Sequence, residues 1–120
     1  MLIDYQDSRP IYEQIVENYK RMILKGVLAP DEQLPSVRSL AMELSTNPNT
    51  VQRAFTELER QEFIYAVKGK GNFVRGNEQL KVQKLAELKA ELQRILKEAA
   101  DIGIDPKTLL AEIQEDEKND

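Results

Sequence analysis

The chain has 120 residues, a formal net charge of −4, and neither cysteine nor histidine, which removes disulfides, thiol chemistry, zinc-finger ligation and imidazole acid–base catalysis together. Hydrophobic residues at 41% can fill one small core, and charged residues at 32% call for a water-exposed surface, so one compact domain with an appendage is expected. No apolar run approaches the roughly 18 residues of a membrane span, and the opening "MLIDYQDSRP" lacks the pattern of a signal peptide, so the cytoplasm is the expected compartment and no membrane partner is expected.

Ser8 to Lys25 reads as a first helix. Pro10 suits its first turn, where a missing N–H costs nothing, and Ile11, Ile15, Val16, Tyr19, Met22 and Ile23 recur at helical spacing. Gly26 is the expected stop, and "VLAPDEQLP" a loop. Ser36 is an expected N-cap for a short helix with Val37, Leu40, Ala41 and Leu44 on its apolar face. Asn47 is the next N-cap, with Pro48 at the first helical position and a buried stripe of Val51, Ala54, Phe55 and Leu58, running to about Arg60 or Gln61. After it, "FIYAV" and "NFVR" read as strands joined by the "KGKG" turn, a small hairpin with a basic tip. Three helices and a hairpin, with a tight turn at about Ser45 to Asn47, make a winged helix-turn-helix. From about Asn77 the chain becomes a helical tail. Leu85, Leu88, Leu92, Ile95, Ala99 and Ile102 alternate in steps of three and four, with Leu80 and Leu96 widening the seam. Gly103 ends this helix. Asp105 caps another, with Pro106 in its first turn and Leu109, Leu110 and Ile113 on one face; "EDEKND" is expected to fray. The expected fold class is therefore mainly α with a small β-hairpin: a winged helix-turn-helix domain over residues 1–76, then a two-helix dimerisation segment over 77–120.

A helix-turn-helix presents the start of its second helix to the major groove of DNA. That placement needs small or polar residues at the helix start and donors on its outward face. In "NPNTVQRAF", Val51, Ala54 and Phe55 point inward, which leaves Asn49, Thr50, Gln52 and Arg53 outward. Asparagine and glutamine can pair bidentately with adenine, arginine with guanine or phosphate, and a helix N-terminus favours an anionic phosphate. Arg38, in the first turn of the preceding helix, stands where a backbone contact is expected, and Lys68 and Lys70 sit at the hairpin tip. Taken singly, these features are an ordinary cap, a surface ion-pair partner of Glu43 or Glu59, and an ordinary turn; together they fall at the three places where a winged helix touches DNA. Charge agrees: residues 36–76 carry six basic and four acidic groups, whereas 1–35 sum to −2 and 77–120 to −4.

The run "LPSVRSLAMELSTNPNTVQRAFTELERQEFIYAVKGKGNFV" resembles the GntR family of bacterial transcription regulators. "SRPIYEQIVENYKRMILKGVLAPDEQLPS", "NPNTVQRA" and the tail "EAADIGIDPKTLLAEI" are similar to its YtrA subfamily. The resemblance implies a homodimeric repressor on a two-fold, double-stranded DNA operator, with control of a neighbouring ABC-transporter operon as a frequent role. It implies DNA contacts by Arg38, by Asn47, Asn49, Thr50, Gln52 and Arg53, and by Lys68 and Gly69 of the wing; Ser36 and Lys70 complete the candidate set. Three positions depart from the pattern. Asp31 and Glu62 stand where many relatives have glycine, and Gln52 where many have arginine, so a relative's operator does not transfer directly.

Binding one half-site is weak, and joining two copies converts it into tight binding. The dimerisation candidates are Leu85, Leu88, Leu92, Ile95, Leu96, Ala99, Ile102, Leu109, Leu110 and Ile113, unless the seam folds back on its own winged-helix domain. The tail is too short to enclose a metabolite pocket of about 300 Å³ within one chain, so no effector domain, cofactor or metal is expected; an effector between subunits stays open. The alternative function is a winged-helix protein-interaction module that does not bind DNA. An enzyme is not expected: Glu57 and Glu59 lie two apart on a helix and face different ways.

Overall fold

The computed structural model describes residues 3–76 and 78–119. Asn77, where the tail was expected to start, and Asp120 lie outside them. In chain order the elements are α1 (Ile11–Leu24), α2 (Val37–Glu43), α3 (Pro48–Arg60), β1 (Ile64–Val67), β2 (Gly71–Val74), α4 (Glu78–Asp101) and α5 (Pro106–Lys118). They divide into two compact units, Met1–Leu80 and Lys81–Asp120. Among the described residues no helix is long and apolar enough to cross a membrane.

The first unit is a winged helix-turn-helix. Its core joins Ile15 and Tyr19 of α1, Leu40 of α2, Val51, Phe55 and Leu58 of α3, and Ile64 and Val74 of the hairpin. Tyr19 meets Phe55 edge-to-face, with ring centres 5.8 Å apart, the arrangement aromatic quadrupoles prefer. β1 and β2 pair antiparallel with Ile64 opposite Val74, which puts both apolar ends on the core. The loop before α2 adds to this sheet: Gln33 bridges Phe73, and backbone bonds run from Asp31 to Val74 (2.7 Å), Val74 to Glu32 (2.9 Å) and Leu34 to Asn72 (2.9 Å). Leu80, expected in the tail's seam, is instead buried with this core.

Helix starts follow the expected caps. Ser36 accepts from the Ser39 amide, Asn47 from Asn49 and Asp105 from Lys107. The first helix begins at Ile11 rather than Ser8. Asp7 takes the Arg9 backbone amide at 2.9 Å, holding 7–9 as a turn, and a residue before proline is driven out of the helical region. Four helices close with the same bond pair, in which a left-handed residue's amide reaches back three residues and the next amide reaches back five. Gly26 and Gly103 close α1 and α4 as expected, but Ser45 (φ 51°) closes α2 and Glu62 (φ 64°) closes α3.

In the second unit α5 runs on to Lys118, so most of the "EDEKND" segment is helical rather than frayed. Leu85, Leu88, Leu92 and Ile95 are 42–54% exposed. Ile102, Leu110 and Ile113 are exposed as well, Leu96 and Leu109 are half-buried, and Ala99 is buried.

Candidate nucleic-acid interface

The turn that aims α3 is fixed from two sides. Within the helix-turn-helix itself, Thr46 donates its amide to the Ala41 carbonyl at 2.9 Å. From outside, the Tyr5 hydroxyl donates to the Leu44 carbonyl. The segment carrying Tyr5 is tied in turn to α1 by Gln14, the buried polar residue of its inner face. The Gln14 amide accepts from the Asp4 N–H at 2.9 Å and donates to the carbonyls of Asp4 (2.9 Å) and Arg9 (3.2 Å). Such a satisfied amide is tolerated inside a core. Reading apolar periodicity alone missed both residues, because neither contributes to an apolar stripe.

On α3, Asn49, Gln52 and Arg53 are exposed, and Thr50 is half-buried. Gln52 leans along its own helix, donating to the Thr56 hydroxyl at 3.3 Å. Arg53 lies over the Tyr12 ring of α1, its guanidinium carbon 3.8 Å from the ring centre. Asn49, Gln52 and Arg53, but not Thr50, line a cleft of about 750 Å³ between α3 and α1, whose other wall includes Arg9, Tyr12 and Glu13. Arg9 is held by Asp7, Nη2 to Oδ2 at 2.8 Å, and this hydrogen-bonded arginine keeps the Asp7 carboxyl below its ordinary range. Asn47 spends its side-chain oxygen on the Asn49 amide at 2.8 Å. Ser36 likewise caps α2, its Oγ accepting from the Ser39 amide at 3.0 Å.

Neither α2 nor α3 has an acidic residue in its first turn, so the positive ends of both helix dipoles are left for an outside anion. Arg38 is exposed in the first turn of α2 and, among the described residues, pairs with neither Glu43 nor Glu59. Lys68, Gly69 and Lys70 form the exposed wing tip. Its turn closes through the Lys70 amide to the Val67 carbonyl at 2.9 Å. Gln33 braces it by donating to the Lys70 carbonyl at 2.8 Å, and Tyr65 stacks on Phe73 at 5.6 Å across the strands. At the wing base the Tyr65 hydroxyl donates to Asp31 at 2.6 Å.

The sequence profile of bacterial regulatory proteins of the gntR family matches residues 11–74, which run from the start of α1 to the end of β2. The chain belongs to the GntR family. Along almost its whole length it resembles the HTH-type transcriptional repressor YtrA of Bacillus subtilis, at 36% identity over 98% of each chain. The structure of a transcriptional regulator from Oenococcus oeni superposes on this GntR chain with a TM-score of 0.77 and 34% identity, over 96% of this chain and 95% of that one. The AraR DNA-binding domain, solved in complex with operator ORX1, matches 61% of the chain at 29% identity and a TM-score of 0.55. This GntR chain is therefore a transcription regulator carrying the family's DNA-binding domain, and its relatives are regulators rather than enzymes.

Proposed function

We propose that the protein is a cytoplasmic repressor that binds a two-fold DNA operator as a homodimer, with α3 in the major groove, Arg38 on the backbone and the wing tip beside it. One observation carries this reading. Arg38, Arg53, Lys68 and Lys70 stand exposed at the start of α2, on α3 and at the wing tip, the places where a winged helix meets DNA, and among the described residues none of them pairs with a carboxylate. Cations left unpaired on one domain are available to displace the counterions of a duplex. Relatives support the reading: one is a named repressor, and another was solved on its operator.

Dimerisation supplies what one half-site lacks. Leu85, Leu88, Leu92 and Ile95 form an exposed apolar line at steps of three, four and three, the spacing of a coiled-coil seam. A second copy of α4 and α5 covers it in this proposal. The resemblance to YtrA carries the further expectation of an ABC-transporter operon as the target. Footprinting the protein on its own upstream region, and on that of neighbouring transporter genes, tests the target. A gel-shift series in rising salt tests the activity. Affinity for one site that falls steeply as salt rises supports the repressor; binding without site preference, or without salt dependence, would leave the winged helix as a protein-interaction module.

A further inference from the structure

Tyr12 stands in the first turn of α1 and Arg53 in the second turn of α3, 41 positions away in the chain. The 3.8 Å from guanidinium carbon to ring centre is well inside the roughly 6 Å over which a cation is drawn to an aromatic face. It is the shortest of three such contacts among the described residues; Lys20 lies 5.4 Å from the Phe63 ring and Arg75 5.8 Å from that of Tyr65. Arg53 makes no hydrogen bond or ion pair among the described residues, so the ring alone fixes the guanidinium while its N–H edges stay free to donate. Three carboxylates, Glu13, Glu17 and Glu57, line the same cleft and are the groups that would otherwise capture it. Glu17 is engaged by Lys20 at 3.8 Å, Glu57 by Arg60 and Gln61, and Glu13 accepts from the Tyr12 hydroxyl at 3.3 Å, the one bond that Tyr12→Phe would give up.

We propose that Tyr12 is a positioning residue for DNA recognition, holding Arg53 ready for a phosphate and out of reach of the cleft carboxylates. The inference rests on the DNA-binding reading above and assigns roles within it. Arg53 is drawn to the α1 flank of α3, and the flank of a helix seated in a groove meets the sugar–phosphate strand, whereas Asn49 and Gln52 keep the base edges. An arginine ordered before binding loses less side-chain freedom on the duplex than one ordered by it.

The test uses the full chain and its own upstream DNA, titrated by fluorescence anisotropy. Tyr12→Phe keeps the ring and is expected to bind within twofold of the unaltered protein. Tyr12→Leu is expected to weaken binding about three- to tenfold per half-site, the range set by immobilising one long side chain. Arg53→Ala is expected to weaken it at least as much, and Tyr12→Leu added to Arg53→Ala to cost nothing more. Because Tyr12 also packs against the core, a trifluorinated phenylalanine at position 12 gives a second arm. It keeps the ring's bulk, drains its negative face, and is expected to behave as Tyr12→Leu does. Equal binding by Tyr12→Leu or the fluorinated variant, or losses that multiply in the double variant, overturns the inference while the DNA reading stands. Failure of the unaltered protein to bind any duplex overturns both.

Discussion

A Cβ built on Gly76 would stand 2.3 Å from Cγ and 2.9 Å from Cα of Pro30. The chain leaving the wing therefore lies against the loop that precedes α2, and only a residue without a side chain fits. Gly76→Ala forces backbone apart and is expected to cost about 1–3 kcal/mol, the usual range for overpacking, read as a lower urea midpoint. Gly69 is the control. It has open space around its Cβ position but φ of +77°, so Gly69→Ala is expected to cost only about 1 kcal/mol of left-handed strain.

Glu62 and Asp31 hold φ of 64° and 65°, and their substitutions by glycine should differ. Glu62→Gly relieves left-handed strain of about 1–2 kcal/mol against roughly 0.5–1 kcal/mol of extra unfolded-chain freedom. A gain of about 0.5–1 kcal/mol is expected. Asp31→Gly relieves less, because aspartate tolerates this region better than glutamate. It also removes the acceptor of the Tyr65 hydroxyl, a bond worth about 1 kcal/mol. No net gain is expected there. Urea unfolding of the two variants side by side checks the difference.

The positions a sequence reading found and those it did not have different physics. Ser36, Asn47 and Asp105 announce helix starts because a short side-chain oxygen next to a helix serves one purpose, and the buried stripe of α3 follows from its period. The end of α3 at Arg60 and the turn at Ser45 were also legible from where the apolar stripes stop, although serine and glutamate occupy left-handed places that glycine usually marks. Gln14 adds nothing to an apolar period, and only its three hydrogen bonds mark it as an inside residue. Leu80 fits the tail's spacing and the domain core equally well as a string of letters; only packing places it in the core. For the candidate interface, the residue types at the start of α3 and at the wing tip were legible. The α1 wall of the cleft, with Arg9 and Tyr12, was not, since it depends on how two distant helices meet.

Acid should loosen the end of α3 in a defined window. Hydrogen bonds donated by Arg60 and then Gln61 lower the Glu57 carboxyl from its ordinary 4.5 to about 2. The folded carboxylate holds its charge more tightly than the unfolded one does. Its contribution is therefore complete above about pH 4.5 and fades as pH falls toward 2. Both groups are near the surface, so the effect is modest. Glu57→Gln is expected to flatten the fall in stability across that window and to be modestly less stable than the unaltered protein above it, where the carboxylate's contribution is complete. A carboxyl NMR titration gives the site's own midpoint.

Arg38 and Gln52 should fail differently on DNA. Arg38 has a free charge in the first turn of α2, so in the proposed pose Arg38→Ala weakens binding to all sequences and reduces the salt slope by about 0.9 per lost phosphate contact. Gln52 contributes no charge. Gln52→Ala should keep the slope and relax preference at particular base pairs, by about 1–3 kcal/mol for a bidentate contact. Anisotropy titrations against the operator and single-base variants at several salt concentrations separate the two. Matching profiles for the two variants would contradict the assignment.

The seam of α4 is tested best in the whole chain. A cut after Gly76 would also remove Leu80, which is buried in the first unit's core, and would confuse folding with assembly. Leu88 and Leu92 are one turn apart and 51% and 47% exposed, so Leu88→Glu with Leu92→Glu removes little from either unit's interior. It does place carboxylates along the proposed contact. Each leucine covered by a partner is worth about 1.5–3 kcal/mol before entropy costs, and desolvating a glutamate reverses the sign. Sedimentation equilibrium is expected to show the unaltered protein at twice its 13.8 kDa chain mass and the double variant at one. Operator affinity should then fall by roughly a hundredfold or more, as the second half-site becomes a separate binding event, while the thermal unfolding of the winged-helix unit stays in place. A dimer that survives both glutamates would move the contact to another surface.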